Sequence, residues 1–189
     1  MDMSEGSHRL QLSSEEKSKA ASYLGSTRDG LLQTVNGLSD HQLAFKVSHD
    51  RWSIAEIVEH LVIFEMLVHG QLNTMKDAST ASIEYVDTNL DRFVLTVVPD
   101  RSKRLVTPPP GVPTGRWNPS ETISRFVEAR TQTLRLLDSN TGLRGHVIPN
   151  VLYQSGPWDG HQWILAGAAH TARHTEQAEE VKVLALASV

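Results

Sequence analysis

No cysteine occurs among the 189 residues. That absence excludes disulfides, thiolate metal ligands and a cysteine nucleophile. Basic charge is not in excess either. Eighteen Lys and Arg face 22 Asp and Glu, giving a net charge of −4 and a pI near 6.1. A chain without a basic field is a poor partner for nucleic acid. No apolar run approaches the ~20 residues that span a bilayer. The N-terminal MDMSEGSHRL lacks the apolar core of a secretory signal. These absences predict a soluble, cytoplasmic protein with no membrane or nucleic-acid partner. The length fits one domain, 1–189, with residues 1–12 a loose polar tail.

What is present is helical patterning with clear punctuation. Ser13 and Glu16 form a capping box, and Leu24, Leu31 and Val35 follow at near-helical spacing. Gly37 is placed to end that helix. Ser53 and Glu56 repeat the box, with Trp52 and Ile57 at staple positions. Beyond them Ile54, Ile57, Val58, Leu61, Val62, Leu67 and Val68 make a wide apolar stripe. A third helix opens at Asn118 and Pro119, with Glu121 placed to close a box. A fourth begins at Asp159 or Gly160. The spacing predicts helices near 13–36, 53–77, 119–138 and 160–186. Between the second and third lie Pro99, Pro108, Pro109, Pro110 and Pro113, with Gly111 and Gly115, which exclude a continuous helix. Within that stretch DTNLDRFVLTVV suits a short helix or an extended piece, and its period does not decide. No strong period-2 run occurs. The expected fold is therefore all-α, a four-helix bundle with a long crossover between helices two and three that serves as a lid or pocket wall.

Histidines carry the chemistry. His170 and His174 are four residues apart, so on a helix they project from one face. That spacing lets two imidazoles grip one metal ion. Their neighbours Ala166, Gly167 and Ala169 are small and leave room for a ligand. His60 lies inward, in the arc bounded by Ile57, Leu61 and Phe64. Three neutral imidazoles with an open position describe a catalytic-type metal site. A lone histidine on an apolar face is more often a satisfied core residue. Spacing alone cannot place His60 opposite His170.

Other side chains carry alternative readings. Glu56 either orients His60, or acts as the site's catalytic carboxylate, or only caps its helix. Gln177 shares a face with His174 and either holds it or packs. Arg173 either reaches an acidic substrate or pairs with Glu176 or Glu180. His146 reaches the site mouth or lies at the surface. His69 is placed to cap carbonyls at the end of helix two. Trp158 and Trp163 wall a pocket or close the bundle end.

Three segments in this order carry a family resemblance: RWSIAEIVEHLVIFE, TPPPGVPTGRWNPSETISRF and DGHQWILAGAAHTARHTEQAEEVK. With the first helix they cover nearly the whole chain, which resembles the DinB/YfiT-like superfamily of four-helix-bundle metalloenzymes. The resemblance implies a divalent metal held by His60, His170 and His174, and imidazole donors make zinc or nickel the expected ion. Relatives include transferases that use low-molecular-weight thiols and hydrolases. The likeness does not identify a reaction; three neutral ligands leave a dipositive centre uncompensated and the chain has no cysteine of its own, so the expectation is an enzyme that moves such a thiol to a small-molecule electrophile. The alternatives are a metal-dependent hydrolase of a small ester or amide, and a metal or small-ligand binding module without turnover. Long bundle faces often pair, so a homodimer is an expectation.

Overall fold

The computed structural model describes residues 11–75, 81–82, 87–103, 105–139, 142–150, 152–153 and 155–187. Four long helices dominate: α1 (Ser14–Val35), α3 (Ile54–Thr74), α5 (Pro119–Ser139) and α6 (Gly160–Ala187). They begin and end within a few residues of the positions read from their caps. Most of the predicted tail, and residues 76–77 at the end of the second predicted helix, lie outside the described residues.

The caps behave largely as local chemistry dictates. The Ser13–Glu16 and Ser53–Glu56 boxes are both closed. Asn118 accepts the Glu121 N–H at 2.8 Å, but no box forms there. The Glu121 carboxylate instead takes Arg125, one turn further on, at 2.7 Å. Asp159 and Gln162 cap α6 reciprocally, each side chain accepting the other's N–H, at 2.8 and 2.9 Å. The segment LSDHQLAFKVSHD, between α1 and α3, contains a short helix, α2 (Asp40–Leu43), with its own Ser39–Gln42 box.

Around the bundle the neighbours run α1, α6, α3, α5 and back to α1. The predicted bundle with one long crossover is therefore what the chain builds. The described residues of the crossover are not plain loop. It holds α4 (Thr88–Val97), packed on α6, and a 3-10 turn at Pro109–Gly111. Val94 and Val98, one turn apart, are completely buried, and that contact selects helix over strand for a segment whose period was ambiguous. A small antiparallel sheet joins β1 (Ala81–Ser82), β2 (His146–Ile148) and β3 (Trp158–Asp159) in that order.

Two apolar clusters fill the interior, one around Phe64, Val68, Leu136 and Trp163, the other around Leu31, Ile57, Leu61 and Phe126. A buried ion pair lies within this bundle interior. Arg130 of α5 meets Glu65 of α3 at 2.7 Å, both side chains almost wholly buried. The same guanidinium donates to Leu24 O and Thr27 Oγ1 on α1, and to Gly167 O and Thr171 Oγ1 on α6. One side chain thus ties all four long helices. Gly167 permits this approach: a Cβ there would stand 3.2 Å from the Glu65 carboxylate. His69 joins the network through Thr133 Oγ1, at 2.9 Å, rather than capping carbonyls at the helix end. Trp158 and Trp163 pack edge to face with centroids 5.1 Å apart and close the bundle end.

Among the described residues, no helix is long and apolar enough to cross a membrane.

Candidate metal centre

Helices α3 and α6 are neighbours, and that adjacency brings His60 to the His170–His174 pair. The three rings form a compact triangle, with centroids 4.8, 4.7 and 4.4 Å apart. One ligand atom from each lies within 4.8 Å of the other two, a group that could hold a metal ion.

Hydrogen bonds fix which nitrogens face inward. His60 Nδ1 is 2.7 Å from the carbonyl of Gly111. A carbonyl only accepts, so Nδ1 carries the proton and Nε2 presents a bare lone pair. His174 Nδ1 is likewise 2.8 Å from Gln177 Oε1, leaving its Nε2 bare. His60 Nε2 and His170 Nε2 face each other at 3.0 Å. His170 Nδ1 is buried with no hydrogen-bond partner. Bare imidazole nitrogens converging with an unsatisfied buried ring are the donor set a borderline-soft divalent ion requires.

Electrostatics keep the rings neutral. Burial pushes the His60 pKa down against the opposing Gly111 bond. Burial, then repulsion from His174 and His60, holds His170 far below the ordinary imidazole range. Burial, then His60, brings His174 down to about 3. Neutral imidazole is the ligating form, so no proton competes at pH 7.

Apolar rings enclose the group. Trp52 packs on His60 and His174, with centroids 4.9 and 6.3 Å away. Phe64 stands edge-on to His170 at 4.0 Å. Trp52 thus does more than staple its helix.

Of the readings open for Glu56, the structure shows the cap; the orienting partner of His60 lies elsewhere. It is Gly111 and not Glu56, whose carboxylate accepts the Ser53 N–H and the Lys46 ammonium, each at 2.8 Å. Glu59, one residue before His60, is the carboxylate that matters for placement. It accepts the N–H groups of Thr114 and Gly115 at 2.9 and 2.8 Å, and Arg116 Nε at 3.0 Å. Burial disfavours its charge, but these donors win and hold its pKa below the ordinary carboxylate value. Glu59 thereby anchors to α3 the strand of chain that supplies the Gly111 carbonyl. Sequence gave only a faint signal here, the PPPGVP turn and an acidic residue on an apolar face.

Arg173 is not paired with Glu176 or Glu180, both of which face Arg101 instead. It donates to the carbonyls of Asp100 and Lys103. Its neighbour Arg101 pairs with Glu180 at 2.9 Å. The crossover is thus strapped to α6 as a wall beside the triad. Gln177 holds His174, as the first of its two readings had it. His146 lies in β2 and is not one of the three rings.

Comparison with known proteins agrees with this architecture. An uncharacterized protein of Bacillus subtilis (strain 168), YuaE, is 26% identical over 151 residues, covering 78% of this chain and 88% of that relative. No solved structure matches the chain. The DinB superfamily model matches residues 23–178, a span that runs from α1 through both arms of the histidine triad; the chain belongs to the DinB superfamily.

Proposed function

We propose that this protein is a metal-dependent enzyme that transfers a low-molecular-weight thiol to a small electrophile, with zinc or nickel held by His60, His170 and His174. The observation that carries the reading is the donor set: three neutral imidazoles, with no carboxylate among the grouped ligands. Neutral ligands leave the full dipositive charge of an ion uncompensated, so the open position favours an anion. The nearby Arg173 guanidinium, held by backbone carbonyls, adds to that preference. A thiol is the softer donor, and the chain has no cysteine to take its place. When bound, the ion would supply a Lewis-acidic position at which a thiol loses its proton near neutral pH.

The chain's own residues then orient and exclude. Gly111 and Gln177 hold the His60 and His174 rings in register. Trp52 and Phe64 keep the surroundings apolar. In the transfer, a sulfur–carbon bond forms as the bond from carbon to its leaving group breaks. The thiol proton passes to solvent or to the departing group. A hydrolytic reading needs a general base, and Glu56, the carboxylate nominated for it, has both oxygens engaged.

The test is metal content of purified protein and of His60→Ala, His170→Ala and His174→Ala, followed by calorimetry with small thiols. One equivalent in wild type, none in the variants, and thiol affinity only in the loaded wild type are expected. Metal-dependent ester or amide turnover without thiol affinity would overturn the transferase reading. Undiminished metal in the variants would overturn the site.

A further inference from the structure

A departing group that leaves as a strong base needs a proton, and the triad is badly placed to give one. The ring protons of His60 and His174 are held by Gly111 and Gln177. The outer nitrogen of His170 is buried. A donor has to come from outside the three rings.

Tyr153 is placed for that task. It lies in the connection between β2 and β3 and packs, with Leu152, on the apolar cluster that contains Phe64, the ring standing edge-on to His170. Its own ring is clamped. It stacks on Trp158 with centroids 5.6 Å apart and meets Phe93 of α4 edge to face at 6.3 Å. Trp158 in turn packs on Trp163, which precedes His170 by seven positions, about two turns, and so shares its face of α6. The Arg173 guanidinium, held beside the triad by the crossover carbonyls, is close enough to act on Tyr153 as well as on His170 and His174.

The hydroxyl is uncommitted. The backbone N–H of Tyr153 donates to Asn150 Oδ1 at 3.3 Å, but among the described residues nothing accepts from the phenol. Burial raises its pKa against the opposing Arg173, so the phenol keeps its proton at neutral pH. A half-buried, rigidly held donor without an acceptor, on the triad's side of the bundle, is available to a substrate.

A phenol also selects the electrophile. A departing halide is a stable anion and needs no proton. A departing alkoxide is strongly basic and needs one. We propose that Tyr153 is the proton donor of the transfer and that the electrophile carries oxygen on its reacting carbon, as an epoxide does. This rests on the thiol-transfer reading above. The sulfur–carbon bond forms as the carbon–oxygen bond breaks, the electron pair goes to oxygen, and oxygen takes the Tyr153 proton. The phenolate regains a proton from solvent, matching the one the thiol released.

The test compares styrene oxide with benzyl chloride, probes of similar size with oxygen and halide leaving groups. The metal-loaded full chain is given 2-mercaptoethanol, cysteine or glutathione, and thioether product is measured above the uncatalysed rate. Tyr153→Phe keeps the ring stacked on Trp158 and removes only the hydroxyl. It should lower kcat/KM for the epoxide about a hundredfold, the scale of general acid catalysis, and for the chloride by less than about twofold. A second readout needs no turnover: calorimetric affinity for styrene glycol, the opened diol, should fall about fivefold in the variant, one neutral hydrogen bond. Equal slowing of both probes, an epoxide rate that does not fall, transfer to the chloride alone, or unchanged glycol affinity would each overturn this proposal and leave the thiol reading standing. No thiol transfer to either probe by the wild type would overturn both.

Discussion

Replacing Glu65 by leucine tests the reasoning about the bundle interior most sharply. The substitution leaves Arg130 fully buried, its charge facing only two carbonyls and two hydroxyls. Burial already lowers the Arg130 pKa, with Glu65 the chief opposing influence. Breaking one side of a buried pair costs about 3–5 kcal/mol, because the partner charge is stranded without its counter-ion. At about 2–4 °C per kcal/mol for a chain of this size, that is a Tm drop of roughly 6–20 °C. The double variant Glu65→Leu/Arg130→Met removes both charges at similar volume. It should return to within about 2 kcal/mol of wild type, since an apolar replacement of a buried pair is often neutral. The assay is urea unfolding followed by circular dichroism at 222 nm, read as a double-mutant cycle. A single-variant cost under about 1 kcal/mol, or a double variant as unstable as the two singles summed, would refute the argument.

Three further outcomes follow from the same geometry. Glu59→Ala should free the Thr114–Arg116 segment, loosen the Gly111 carbonyl from His60, and weaken metal binding by about tenfold while leaving far-UV helicity intact; unchanged affinity in a competition titration counts against it. Acid should destabilise the metal-free protein in two stages. The triad histidines have folded pKa values below the unfolded one, so the unfolded state takes protons first and stability begins to fall below about pH 6.5. Glu59 and Asp91 also sit below the unfolded carboxylate value, donor bonds outweighing burial, so their contribution, complete at higher pH, is lost as pH falls below about 4. Urea midpoints that stay level from pH 7 to 3 would contradict both stages. Finally, loading nickel should quench tryptophan emission through Trp52, 4.9 Å from the His60 ring, and Trp52→Phe should remove most of that quenching; equal quenching in the variant would place the ion elsewhere.

What the sequence determined was local. Ser13, Ser53 and Asn118 cap within their own first turns, so the starts of three helices could be read from hydrogen bonds spanning three residues. The four-residue spacing of His170 and His174 fixed their shared face by helix geometry alone. The apolar stripe on α3 turned His60 inward. Everything requiring two distant segments to meet was decided by packing. The adjacency of α3 and α6 put His60 3.0 Å from His170 across 110 residues of chain. The crossover contributes a backbone carbonyl at Gly111, and a carbonyl is common to every residue, so composition could not nominate it. Arg130 and Glu65 are 65 residues apart, and only the closing of four helices around them makes them a pair. Local hydrogen bonds leave their signature in adjacent residues; long-range contacts depend on which faces the bundle brings together, and only the folded chain decides that.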